Sequence, residues 1–279
     1  MRNALVVDLE HWHSNEFLTG YLPADMPDQV TESVRPILQL LERYDVKATF
    51  AVLGSVAREH PELIREIYDR GHEIACHAYS HKTLYQLSKA AFDDEIQRSV
   101  ALLRSITGSR PIGFRAPSFS IDNSTRWAFD VLEKYGFRYD ASIFPFKTML
   151  YGVPDAPVNI YRPSKDDVAK HDPRGKIIEF PMTVLNTYRN IPIAGGFYLR
   201  ALPLRLLKAG FRKVNRTRPS ILYIHPWETY PGTPRLAIPA FYRFVAYYGI
   251  GSALKKFEAL LREFSFRPIR DVIFEGQES

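Results

Sequence analysis

Apolar residues in the first half of the chain alternate between two periods. Short runs rich in β-branched side chains, Ala4–Val7, Ala48–Leu53, His72–Cys76 and Ile112–Phe114, read as buried strands. Between them, apolar residues three and four apart predict helices. Val30–Tyr44 carries Val34, Ile37, Leu38 and Leu41 on one face, and Pro61–Tyr68 has proline at its start and Gly71 beyond its end. Ser88–Ile106 has Ser88 placed to cap it and Gly108 to stop it; Ser124–Tyr135 closes at Gly136 and leads into a strand at Phe137–Tyr139. Strands and helices that alternate with a repeat of about 30 residues imply a parallel sheet with right-handed crossovers, as a βα barrel or a doubly wound sheet.

The pattern then weakens. Pro154, Pro157, Pro163, Pro173 and Gly152 make Phe146–Arg174 an irregular excursion over the mouth of the sheet. Order returns at Lys176–Phe180 and in the apolar run Ile221–Ile224, and a long helical region, Ile238–Phe264, breaks near Gly249–Gly251. No linker composition divides the chain. The expectation is one domain over 1–279, its chemistry within 4–225 and a C-terminal helical extension from about 229.

Composition adds little, since 46% hydrophobic and 24% charged residues are ordinary globular values. The lone Cys76 excludes an internal disulfide and suits a reducing compartment. The N-terminal apolar run is too short for a signal core or a membrane span, so a cytoplasmic location is expected. Charge changes the picture in one place. Arg200, Arg205, Lys208, Arg212, Lys213, Arg216 and Arg218 fall between Phe197 and Arg218 with no acid among them. Leucines and Phe211 interleave, which fits either a solvated helix packed by its leucines or a basic helix resting on an anionic lipid surface or acidic polymer. No nucleic-acid recognition motif accompanies the charge.

Polar residues follow nearly every predicted strand: Asp8 and Glu10, His77 and His81, Arg115, Asp140, and His225. Strand C-termini form one rim of a parallel α/β sheet, so these groups converge. Asp8 and Glu10, two apart, share a strand face. A carboxylate with the imidazoles of His77 and His81 makes a three-ligand site with positions left open, as a catalytic divalent ion requires. Arg115 can hold a carboxylate in a fixed orientation, and Asp140 can hold His225 so that it delivers a proton. Glu10-His-Trp-His13 also offers the His-x-His pair of amidohydrolase-type barrels, but His11 and His13 lie beyond the strand and are assigned to substrate contact or packing. His60, His72 and His171 are assigned to the surface.

In this order, these residues resemble the polysaccharide deacetylases with a NodB homology domain (carbohydrate esterase family 4). Asp8-Leu-Glu10, His77-Ala-Tyr-Ser-His81, Arg115-Ala-Pro-Ser118, Tyr139-Asp140-Ala-Ser-Ile-Phe-Pro145 and Leu222-Tyr-Ile-His225 stand where that family has its motifs. Ala194-Gly-Gly-Phe197, then His225-Pro-Trp227-Glu228 and the chain on to about Arg270 resemble a branch encoded with bacterial exopolysaccharide or O-antigen biosynthesis. The resemblance implies a distorted (β/α) barrel of about seven strands. It implies a divalent ion, zinc above all, on Glu10, His77 and His81, with Asp8 as base oriented by Arg115, and His225 as acid supported by Asp140. It also implies that the backbone N–H of Ser118 holds the oxyanion, Leu222 lines the acetyl pocket, and Trp227 and His13 contact substrate. The product would be acetate and a free amine from an N-acetylated sugar. Two alternatives share the fold: hydrolysis of a small cyclic amide or imide, and sugar binding without catalysis. The presence of Asp8 and His225 argues against the second.

Overall fold

Each strand of a parallel sheet covered by helices sends alternate side chains to two different surroundings. A computed structural model describes residues 1–275. In it β1 (Arg2–Leu9) sends Leu5, Val7 and Leu9 to the layer beneath the helices and Ala4 and Val6 into the interior. Four βα units follow. Helix α1 (Val30–Arg43) leads to β2 (Thr49–Val52), α2 (Gly54–Glu59) and α3 (Pro61–Asp69) lead to β3 (Glu73–Cys76), α4 (Lys89–Thr107) to β4 (Gly113–Phe114), and α5 (Ala128–Lys134) to β5 (Tyr139–Asp140). The chain continues through β6 (Ile178–Glu179), a hairpin of β7 (Val184–Leu185) and β8 (Ile191–Pro192), helices α6 (Gly196–Ala201) and α7 (Leu204–Val214), and β9 (Ile221–Ile224). Seven parallel strands curl in the order β9–β1–β2–β3–β4–β5–β6. The expected barrel of about seven strands is present, but open. Between β6 and β9 the join is made by side chains: Thr183 Oγ1 accepts from Ile221 N at 2.7 Å, and Arg218 donates to the carbonyls of Val158 and Val184.

Helix ends match the capping chemistry. Ser88 Oγ accepts from Ala91 N, and Gly108 takes the left-handed conformation past α4. α5 begins at Ala128 rather than Ser124. Asp122 Oδ1 accepts from Ser124 N, and Thr125 Oγ1 donates to Ser120 O, so local side chains hold a turn where helix was expected.

The C-terminal region is not only helical. After α8 (Pro226–Thr229), α9 (Ala240–Tyr247) and α10 (Ile250–Leu261), β10 (Ser265–Arg267) joins the first residues of β1 in parallel, and α11 (Ile269–Phe274) closes the barrel floor. Two of its first backbone N–H groups reach Thr49 Oγ1 and Glu73 Oε2, while Ile269 and Ile273 enter the interior cluster. Such a floor satisfies helix-terminal donors that would otherwise be buried without partners.

His72 is not a surface residue. It is 4% exposed, its Nδ1 accepts from Ala48 N at 3.2 Å, and it packs on Phe50. Burial, helped by the charges of Lys47 and Arg70, lowers its pKa to about 4. His60 pairs with Asp28 at 2.7 Å, and His171 is exposed.

Candidate active site

The strand ends carry out the convergence that their sequence positions imply. Glu10 follows β1 on the inward face, and its Oε2 lies 2.7 Å from His81 Nε2 and 3.7 Å from His77 Nε2. The three ligand atoms lie within 4.8 Å of one another, and no other group of this kind occurs among the described residues. His77 Nδ1 donates to the carbonyl of Arg115 at 2.7 Å, which leaves Nε2 with its lone pair toward Glu10. Trp227 Nε1 donates to Glu10 Oε1 at 3.0 Å, fixing the carboxylate. Burial works to raise the pKa of Glu10, but His81, His225 and His77 outweigh it and hold the carboxyl well below its usual range. Two imidazole nitrogens and a buried carboxylate oxygen are the donor set of a borderline divalent ion, so the residues fit one.

The loop that carries both histidines is strained. Ala78 and His81 have φ of 59° and 61°, a region that side chains other than glycine seldom occupy. Glu95 of α4 holds it there, accepting from the backbone N–H of Tyr79 and Ser80 at 3.0 and 3.1 Å. Ala78 O accepts from Gly54 N and from Ser99 Oγ.

Asp8 sits beside the cluster, with Arg115 Nε 2.7 Å from its Oδ1. The guanidinium is sandwiched between Phe119 and Tyr223, 4.7 Å from each ring centroid, and donates to Ala141 O. Gly195 permits this, because a Cβ there would stand 2.1 Å from the Tyr223 ring. His225 Nε2 lies 3.6 Å from Asp8 Oδ2 and 3.7 Å from Glu10 Oε1, so Asp8 and His225 face each other directly. Ser118, at φ 51°, lines the same cleft.

Three assignments change. Asp140 does not hold His225. It is paired in register with Phe114 and Glu179, on the opposite face of the sheet from the cleft, and its carboxylate accepts from Ser142. Burial raises the pKa of Glu179 well above the ordinary carboxylate value and that of Asp140 to about 6. The partner of His225 is Glu228, whose Oε2 accepts from Nδ1 at 2.7 Å and whose Oε1 is 2.8 Å from Arg200 Nε. Burial alone would lower the His225 pKa; the carboxylates of Glu10, Glu228 and Asp8 outweigh it and raise it to about 9. Leu222 does not line the cleft either. It points outward into the helix-covered layer, whereas Tyr223, two residues before His225 and on its face, lines the cleft.

Trp227 lines the cleft, stacked 5.2 Å from His225. His13 does not line it. It stacks on His11 at 4.7 Å, and His11 Nε2 reaches Glu59 at 3.1 Å, so the His-x-His pair is turned to packing. Two cleft residues gave little warning in sequence. Glu16 is a cleft acid whose pKa burial raises, and Tyr223 follows only from strand alternation. Glu228 was legible in principle, since Pro226 and Glu228 after His225 have the spacing of a capping box, and both its hydrogen bonds form.

The basic segment is largely engaged internally. Arg200 binds Glu228, Lys208 and Arg212 reach Glu263, and Arg218 is buried against carbonyls, which leaves Arg205, Lys213 and Arg216 exposed. Among the described residues no helix is long and apolar enough to cross a membrane.

The open barrel thus gathers two histidines, paired acids and a buried arginine at its strand C-termini, with Glu10, His77 and His81 placed so that they could hold one cation. Residues 23–139 match the polysaccharide deacetylase family model, and 141–274 match a domain of unknown function, DUF3473. Residues 23–139 thus carry a polysaccharide deacetylase domain. The chain is 30% identical over 200 residues to a peptidoglycan deacetylase-like protein, FGM2, of Gibberella zeae, covering 66% of this chain and 58% of that protein. It is 33% identical over 105 residues to a peptidoglycan-N-acetylglucosamine deacetylase of Bacillus cereus, covering 37% of this chain and 38% of that protein. The chain thus spans about half the length of the curated relatives it matches. The crystal structure of Puue allantoinase superposes with a TM-score of 0.63 at 18% identity, over 100% of this chain and 90% of that one, which is a likeness of fold alone.

Proposed function

We propose that this chain is a metal-dependent hydrolase that removes the acetyl group from an N-acetylated sugar of a bacterial surface polysaccharide, exopolysaccharide or their precursor. The observation that carries the reading is the meeting of Glu10, His77 and His81 around one point with Asp8 and His225 beside them. Glu10, His77 and His81 would hold a divalent ion, zinc by donor set, which when bound supplies Lewis acidity to the acetamide carbonyl and lowers the pKa of water.

Asp8, fixed by Arg115, accepts a proton from the attacking water. The backbone N–H of Ser118 stabilises the charge that develops on the carbonyl oxygen. His225, charged near neutral pH because of its carboxylate neighbours, delivers a proton from Nε2 to the leaving nitrogen, and Glu228 holds Nδ1 throughout. The products are acetate and an amine. Arg205, Lys213 and Arg216 are the part of the basic segment left to support peripheral contact with an anionic membrane surface, in a protein read as cytoplasmic.

The test is acetate release from a panel of N-acetylhexosamine oligomers and lipid-linked sugars, with and without chelator. Release that chelator abolishes and a divalent ion restores is expected. Release insensitive to chelator overturns the mechanism.

A further inference from the structure

Four carboxylates line the cleft: Asp8, Glu10, Glu16 and Glu228. Three have partners. Asp8 has Arg115, Glu10 has His81 and Trp227, and Glu228 has Arg200 and His225. Glu16 has no side-chain partner among the described residues; its own backbone N–H is its one hydrogen-bond donor there, and its Oε1 is shut off from solvent without a hydrogen bond. The short helical turn that presents it is fixed, with Asn15 Oδ1 accepting from Phe17 N at 3.0 Å and Phe17 packed 5.8 Å from Tyr242. A carboxyl held in such a place without a partner lowers stability.

The cations of the cleft sharpen the point. Arg115 and Arg200 are its two guanidinium groups, and both are engaged, Arg200 additionally with the carbonyls of Val245 and Tyr248. Among the described residues no lysine lines the cleft. An anionic substituent beside Glu16 would meet an acid, while Arg115, Arg200 and the charged His225 are already held by carboxylates. A hydroxyl or ammonium group would complete Glu16.

We propose that Glu16 is a substrate-recognition group that accepts a hydrogen bond from a hydroxyl or amine of the sugar next to the scissile acetamide, and so selects neutral or cationic sugars over uronate- or phosphate-bearing ones. The inference rests on the deacetylase reading for the site's orientation. The basic segment does not alter this, since its buried charges, Arg200 and Arg218, face protein.

Binding and turnover are read separately. Calorimetric titration with an N-acetylglucosamine tetramer, acetate release from it, and thermal melts are compared for wild type, Glu16→Gln and Glu16→Met. Glu16→Met is expected to weaken binding and raise KM on the order of 10-fold or more, with a smaller change in kcat and a higher Tm, because the unpaired carboxyl is gone. Glu16→Gln, which keeps an acceptor oxygen, recovers part of the affinity. Unchanged binding in Glu16→Met, a lower Tm, or no tetramer binding by wild type overturns the proposal. Wild-type binding that Glu16→Met weakens, without acetate release, sinks the deacetylase reading and leaves the role of Glu16 standing.

Discussion

His225 depends on three carboxylates from two places in the chain, Asp8 and Glu10 at the end of β1 and Glu228 in α8. Its pKa of about 9 lies above the ordinary histidine value, so the sign is fixed: the charged form is stabilised by folding, fully below about pH 6.5, and that stabilisation is lost as pH rises through 9. An acid must carry its proton to donate it, so kcat/KM is expected to fall as pH rises through the His225 pKa, which a divalent ion on Glu10 would bring below 9. Glu228→Gln removes one of the raising charges and should move that limb to lower pH. It also leaves Arg200 buried without its ion-pair partner, a loss on the order of 3 kcal/mol measurable by denaturant unfolding. His225→Ala should lower kcat by about 10²–10⁴-fold. A pH–rate profile unchanged by Glu228→Gln would remove Glu228 from this role.

At the scale of elements, the decisive segment is the loop after β3. Its histidines point at one atom only because Ala78 and His81 are held at positive φ, and Glu95 from α4 supplies the hydrogen bonds that hold them. Glu95→Ala should let the loop relax and weaken zinc affinity about 10- to 100-fold in a competitive-chelator titration, although Glu95 touches no ligand. Affinity equal to wild type would mean that the loop holds itself. At the entry to β3, His72 is buried neutral, with its pKa lowered to about 4. A depressed folded value means that its contribution is present above about pH 6.5 and lost as pH falls toward 4. Melting temperatures recorded from pH 7 to 4 should therefore fall less steeply for His72→Asn, from a lower starting point.

For the whole molecule, the C-terminal return makes the chain one body. Phe266 is buried under the helices and Ile269 and Ile273 in the barrel floor, and removing residues 265–279 should cost about 5 kcal/mol or more, comparable to the total stability of many domains. Loss of soluble folded protein is the expected outcome, and a truncated chain that melts like the full one would contradict it. The cation site separates two roles at the same scale. His77→Ala should lose bound metal on dialysis, whereas Asp8→Asn should retain it, measured by elemental analysis, and lose turnover.

The sequence by itself determined the alternation of strands and helices, the capped ends of α4, and the convergence of Asp8, Glu10, His77, His81, Arg115 and His225. Period and strand-end position are local properties, and in a parallel sheet they fix which residues share a rim. It did not determine which partners those residues take. Asp140 and Leu222 fall on the outward face because strand register turns alternate residues away. Glu228 reaches His225 through a cap, Glu16 arrives from a short turn beside the cleft, and a segment that reads as helical ends by completing the sheet. Those outcomes depend on burial and long-range packing, which only the folded chain brings into being.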